Sequence, residues 1–213
     1  MNLLSHLRKP FRYEFLNVTL YLIGTNLLVF FLTYLNRGLL YYMALNPLYL
    51  LKGGMVWQLV SYMFAHASFN HILFNMLGLF FFGLQVEREM GSREFLLFYF
   101  FTGIFAGLVS LLVYWLSGAY GVFLLGASGV VYGVLLAFAT FYPRARIFLF
   151  GIFPVPAPYL VIGYTAIELL AQFGAQDNVA HLTHLAGFAG AYLYLVLRLG
   201  ISPFRVFRNE YFS

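Results

Sequence analysis

Of the 213 residues, 62% are hydrophobic and only 9% are charged, against roughly 25% charged in an ordinary soluble domain. Such a chain is an integral membrane protein, and residues 1–213 are expected to form a single transmembrane domain with no separate soluble unit. The absence of cysteine excludes disulfides, metal–thiolate sites and a cysteine nucleophile together, while the net charge of +5 sits in clusters between apolar runs, a topology signal rather than a nucleic-acid surface.

Apolar stretches bounded by charges and turn residues mark six expected spans, near residues 16–36, 67–86, 94–117, 127–142, 156–174 and 179–197. This predicts an all-α, polytopic membrane helix bundle with six transmembrane helices. The first run follows Arg8, Lys9 and Arg12, is long enough to span and lacks a small-residue cleavage site, so it reads as a retained helix and not a signal peptide. If residues 1–15 are cytoplasmic, that side also receives Arg88, Arg93, Arg144, Arg146, Arg198, Arg205 and Arg208, while the other side keeps only Arg37 and Lys52. The imbalance predicts that both termini, 1–15 and 199–213, face the cytoplasm. The run Pro154-Val155-Pro156-Ala157-Pro158 reads as a helix start, since proline is tolerated in a first turn. A start there puts Glu168 well inside the bilayer, where an ionisable group is functional by default. A start at Ile147 puts it near the outer surface, and the sequence assigns it no catalytic role.

His71, Ser128 and His184 are the unusual polar groups of the second, fourth and sixth spans. Sixteen residues separate His71 from Glu87 and Ser128 from Arg144, and fourteen separate His184 from Arg198. At about 1.5 Å per residue, all three stand roughly 21 to 24 Å above the cytoplasmic boundary. In a hydrocarbon core about 30 Å thick, that level lies a few ångströms below the outer face, shielded yet within reach of water. Gly129 with Gly133, and Gly187 with Ala191, give the fourth and sixth spans smooth strips where backbones approach closely. Close approach is what brings the Ser128 hydroxyl to a His184 nitrogen, the pairing that serine nucleophiles need. Gly126-Ala127-Ser128-Gly129 opens the fourth span, and Tyr132, one turn on, is placed to stack on the imidazole. No acidic residue accompanies His181 or His184, so the expected arrangement is a dyad. Singly, each part has a duller reading: glycine strips serve packing, and membrane serines bond to their own helix. Shared depth on separate helices argues for a site.

On these residues the chain resembles the rhomboid family of intramembrane serine proteases, in its six-span bacterial form, from about Trp57 to Ala191. The resemblance implies a rhomboid-like fold with Ser128, in the G-x-S-G motif, as nucleophile and His184, with Gly187 at +3, as general base. It further implies that His71, Asn75 and the Ser128 backbone N–H form the oxyanion site, with His66 a further family histidine. Gly83, Glu87 and Gly91 match the family's pattern where the second span leaves the membrane. Two features depart from that pattern or compete with it. Trp57 is followed by Gln58 where the family often has arginine, which removes a salt bridge from the first loop. His181-Leu182-Thr183-His184 offers a second candidate base, and His184 is preferred because Gly187 and Ala191 follow at +3 and +7, where His181 has His184 and Phe188. His181 is then a solvated or gating residue.

The implied reaction is hydrolysis of peptide bonds in or near the transmembrane helices of other membrane proteins. It needs no cofactor, no metal and no nucleic acid, and runs in the lipid bilayer of a bacterial inner membrane. The implied substrate gate lies beside the fifth span, although its aromatics Tyr164 and Phe173, on the residues alone, are simply lipid-facing. The outer loops Gly118 to Gly121 and Gln176 to Asn178 are candidate water routes. Rival readings are a catalytically silent rhomboid-like protein that binds membrane helices, which usually lacks the serine or histidine, and a small transporter, which needs several intramembrane acids.

Overall fold

The computed structural model describes residues 8–9, 11–149, 151–171 and 178–211. Helix α1 (Val18–Leu35) is followed by a loop carrying three short helices, α2 (Arg37–Met43), α3 (Pro47–Leu51) and α4 (Gln58–Ser61). Helix α5 (Phe69–Met90) contains a π-helical turn at Leu79–Gly83, and α6 (Ser92–Leu116) returns beside it. Helix α7 (Ser128–Phe141) leads into an antiparallel hairpin, β1 (Arg146–Leu149) and β2 (Phe153–Pro156). Then come α8 (Ala157–Ala171), α9 (Asn178–Tyr194, prolonged by a π turn at Leu195–Leu199) and α10 (Pro203–Tyr211). The bundle is helical as expected, and the hairpin is an addition to the all-α architecture. Among the described residues, four helical stretches are long and apolar enough to cross a membrane: α1, α5, α6 and His181–Leu199 within α9 and its π turn. The apolar helices α7 and α8 are shorter, at 14 and 15 residues.

Helix α7 organises the layout. Its residues from Gly133 to Thr140 are all buried, because α5, α6, α8 and α9 pack around it, and a helix apolar on every side belongs in the middle of a bundle. Fourteen residues reach only about 21 Å at 1.5 Å per residue, short of a hydrocarbon core of about 30 Å. At least one end of α7 therefore stops inside that thickness, and Ser128 is its first residue. The two small-residue strips meet as their spacing predicts. A Cβ on Gly187 would stand 1.9 Å from the Gly129 carbonyl oxygen, and one on Gly133 would stand 3.1 Å from the Ala191 methyl.

The prolines decide where α8 begins. Arg146 pairs with Pro156 and Ile147 with Val155, so Ile147 belongs to a strand and the helix starts at Ala157. Pro154 and Pro156 have no N–H to donate, which a two-stranded hairpin with open edges tolerates. Glu168 is thereby about 17 Å along α8 at the helical rise, and it is buried.

Buried polar groups fasten the ends of the helices. Asn17, in the left-handed region, gives α1 no side-chain cap, and Glu87 supplies one from α5. Its Oε1 accepts the Val18 N–H at 2.7 Å, and its Oε2 accepts the Thr19 N–H and hydroxyl at 2.9 and 2.7 Å. A carboxylate there satisfies orphan donors and opposes the positive end of the helix dipole. Ser92 donates to Glu87 and accepts from the Leu16 N–H, across a turn at Gly91 whose φ of 79° favours glycine. Glu94 binds Arg198 through two nitrogens, at 2.8 and 2.9 Å, and Tyr194 donates to the same carboxylate, tying the start of α6 to the end of α9. In the first loop, Gln58 is buried, accepts the Asn46 N–H at 3.2 Å and donates to the Tyr42 carbonyl at 3.3 Å. A neutral amide thus ties the loop.

Candidate active site

The backbone just before Ser128 is shaped by one glycine and two histidines. Gly126 has φ of 110°, and a Cβ there would lie 2.5 Å from Nε2 of His71, so this position excludes side chains both by conformation and by space. The Ala127 N–H points to His66 Nε2 at 3.5 Å, while His66 Nδ1 faces the Phe64 carbonyl at 3.3 Å. A nitrogen that accepts must be bare, so His66 carries its proton on Nδ1. Burial and the neighbouring His71 hold its pKa down at about 4, which keeps it neutral for that role. The two rings pack edge to face, 5.0 Å apart.

Ser128 Oγ lies 2.8 Å from His184 Nε2. Tyr132 stacks on the same imidazole, with centroids 4.2 Å apart and planes 9° from parallel. The sequence reading leaves both histidines of α9 without an acidic partner, and the structure corrects this by giving both the same one. Glu168 Oε1 is 2.9 Å from His184 Nδ1 and 2.5 Å from the Tyr132 hydroxyl, and Oε2 is 2.5 Å from His181 Nδ1. The partner comes from α8, a different helix, and it reaches the level of His184 only because the hairpin delays the start of α8 to Ala157. The available signal was an acid inside an apolar run. His181 engages the carboxylate and not the serine.

On the other side of Ser128, the Ser68 hydroxyl caps α5 by accepting the His71 N–H at 3.3 Å. Asn75 is buried and donates one amide hydrogen to the His71 carbonyl at 2.8 Å; its NH₂ carries a second. His71, Asn75, Ser128 and His184 line one cavity of about 1180 Å³, walled by Phe74 and Phe81 of α5, Phe148 of the hairpin, and Leu160 and Tyr164 of α8. Tyr164 thus faces this cavity and packs edge-on against Tyr132, beyond a plain lipid-facing role. The loop with Gly118 and Gly121 leaves open space around both glycines. Phe173 and Gln176 lie outside the described residues.

Among the described residues, Glu168, His181 and His184 are the one cluster whose ligand-type atoms fall within 4.8 Å of one another. Ligands of a tetrahedral zinc ion at its usual bond lengths stand about 3.3 Å apart, whereas the carboxylate touches the two imidazoles at 2.5 and 2.9 Å. In this structure the three groups hydrogen-bond to one another.

Fold and site together define an integral membrane protein in which a serine–histidine pair opens into an apolar side cavity. Residues 53–201 match the Rhomboid domain, and the chain belongs to the rhomboid family. It is 30% identical over 145 residues to Rhomboid protease GlpG of Haemophilus influenzae, covering 68% of this chain and 72% of that one. It is also 32% identical over 178 residues to Rhomboid protein 1, mitochondrial, of Saccharomyces cerevisiae, covering 78% and 49%. Against RHOMBOID-like protein 12, mitochondrial, of Arabidopsis thaliana it is 32% identical over 154 residues, covering 66% and 46%. The chain spans about half the length of these two mitochondrial relatives.

Proposed function

We propose that the protein is an intramembrane serine endopeptidase that hydrolyses peptide bonds in or near the transmembrane helices of other membrane proteins. The observation that carries this reading is the 2.8 Å contact between Ser128 Oγ and His184 Nε2, in the lining of a cavity of about 1180 Å³. His184 takes the proton of Ser128 as its oxygen attacks the scissile carbonyl. The same imidazole then gives that proton to the leaving amine, and water, deprotonated in turn by His184, releases the acyl group. The negative oxygen of the tetrahedral intermediate is held by the Ser128 N–H with His71 and the second amide hydrogen of Asn75, and each such donor contributes typically about 2.7 to 4 kcal/mol. The substrate helix must unwind before it binds, because its backbone groups are otherwise paired within the helix. The charge distribution supports an orientation with both termini cytoplasmic, and the resemblance to the six-span bacterial form supports a bacterial inner membrane as the site of action.

The transporter reading loses its footing in the bundle. Glu87 caps a helix and Glu94 is paired with Arg198, so the buried acids do not line one path.

The test is cleavage of a single-span membrane protein by purified enzyme in liposomes. Ser128→Ala and His184→Ala are expected to abolish it, and His181→Ala to leave it measurable. Cleavage that survives Ser128→Ala ends the assignment. Loss in His181→Ala with retention in His184→Ala transfers the base to His181.

A further inference from the structure

We propose that Glu168 is a positioning residue that completes a Ser128–His184–Glu168 triad: it fixes the His184 proton on Nδ1 and steadies the imidazolium formed as Ser128 is deprotonated. The inference rests on the reading of Ser128 and His184 as nucleophile and base.

Donor and acceptor counting carries the argument. An ionised carboxylate only accepts hydrogen bonds. Glu168 Oε1 lies 2.5 Å from the Tyr132 hydroxyl and 2.9 Å from His184 Nδ1, so both must donate to it. Oε2 faces His181 Nδ1 at 2.5 Å, and wherever that proton rests between the two, Oε1 remains an acceptor. His184 therefore carries its proton on Nδ1 and presents a bare Nε2 to Ser128 Oγ, 2.8 Å away. That is the one neutral form in which it can receive the serine proton. Once it has done so, the ring is a cation whose N–H points at a carboxylate with a side chain only 5% exposed. Burial strengthens such an attraction, because little water competes for the charge. This is the work done by the acid in serine–histidine–acid triads on unrelated folds.

A carboxylate that merely fastened α8 to the bundle would be satisfied by donors of any kind. Glu168 instead engages the ring nitrogen opposite the nucleophile, and it also holds the hydroxyl of the tyrosine stacked on that ring. The imidazole is thus fixed in its plane by a hydrogen bond and across its face by a ring whose far end is tied to the same oxygen. His181 occupies the remaining oxygen. The three members come from α7, α9 and α8, so the triad is complete only while α8 is packed against both of its neighbours.

The decisive measurement uses the whole protein in liposomes and two readouts: turnover of a single-span substrate, and the rate at which a fluorophosphonate modifies Ser128. The second depends on base-activated attack by the serine and needs no peptide substrate. Glu168→Gln keeps the shape and an acceptor oxygen but removes the charge. It is expected to lower kcat and the fluorophosphonate rate on the order of 10²-fold, the scale of acid–base assistance, with KM within about 3-fold and the melting temperature unchanged. Glu168→Asp, which restores the charge on a shorter stem, is expected to recover part of both rates. The proposal is overturned if Glu168→Gln keeps both rates within about 3-fold of the wild type. It is equally overturned if the loss comes with a matching fall in melting temperature and no recovery in Glu168→Asp, which would mark the residue as structural glue. A wild type that reacts with fluorophosphonate in a Glu168-dependent way, yet cleaves no membrane substrate, sinks the protease reading and keeps the triad. A wild type whose Ser128 does not react at all sinks both.

Discussion

The donor immediately before Ser128, the Ala127 N–H, is met by His66 Nε2, and that tie makes one contribution to stability pH-dependent. His66 is almost fully buried, and its pKa is held at about 4 against an ordinary 6.5. As pH falls below 6.5 the unfolded chain binds a proton that the folded chain refuses until about pH 4. This contribution is therefore whole above 6.5 and is lost across that window, reaching about 3 kcal/mol at its lower end. His66→Gln keeps an acceptor but cannot be protonated in this range. The fall in melting temperature between pH 7 and pH 5, followed by intrinsic fluorescence in detergent, is expected to be shallower in His66→Gln than in the wild type. Equal slopes in the two proteins would show that this imidazole does not set the acid response. Gly126 works at the same scale: its motif position was readable in the sequence, but the reason for it, the His71 ring in the place of a side chain, required coordinates.

At the scale of elements, the site depends on how tightly α7 and α9 cross. Gly187 is the strictest position, since a methyl there would meet the Gly129 carbonyl oxygen at 1.9 Å, backbone against backbone with no flexible side chain to yield. Gly187→Ala is expected to force the helices apart, lengthen the Ser128–His184 contact and reduce turnover by 10²-fold or more, since misplacement by about 1 Å carries a penalty of that order. Overpacking of this kind also costs about 1 to 3 kcal/mol of stability. Gly163→Ala in α8, where nothing lies within 4 Å of the new methyl, serves as the control and is expected to match the wild type in turnover and melting temperature. Equal behaviour of the two variants would mean that the crossing tolerates a spacer and that the small-residue strip is not what sets the geometry.

At the scale of the whole molecule, hydropathy and charge were enough to locate every long helix to within a few residues, because burial in lipid imposes apolar runs on the sequence itself. The pairing of Ser128 with His184 was readable for a related reason: glycines at i, i+4 report where two backbones touch. The carboxylate of Glu168 was readable only in depth, from the helix start that the proline run marks at Ala157; its partners were not, because they lie on two other helices. Orientation is the remaining property of this scale, and the fold gathers its basic residues toward one end. Arg8 bonds to the carbonyls of Val196 and Leu197, Arg93 pairs with Glu14, and Arg144 pairs with Glu210 of α10, which brings the N-terminal segment, the turn between α5 and α6, the foot of the hairpin and the C-terminal helix together. Arg37 and Lys52 lie within the loop that joins the other ends of α1 and α5. The chain has no cysteine, so single cysteines report position without background. A cysteine at the exposed Lys52 is expected to react with a membrane-impermeant maleimide in intact cells, whereas cysteines at Arg146 and at Arg205 are expected to react only after the membrane is opened. The reverse pattern would turn the protein over in the bilayer and move the Ser128 cavity to the cytoplasmic side, where the basic clusters then could not be the retained face.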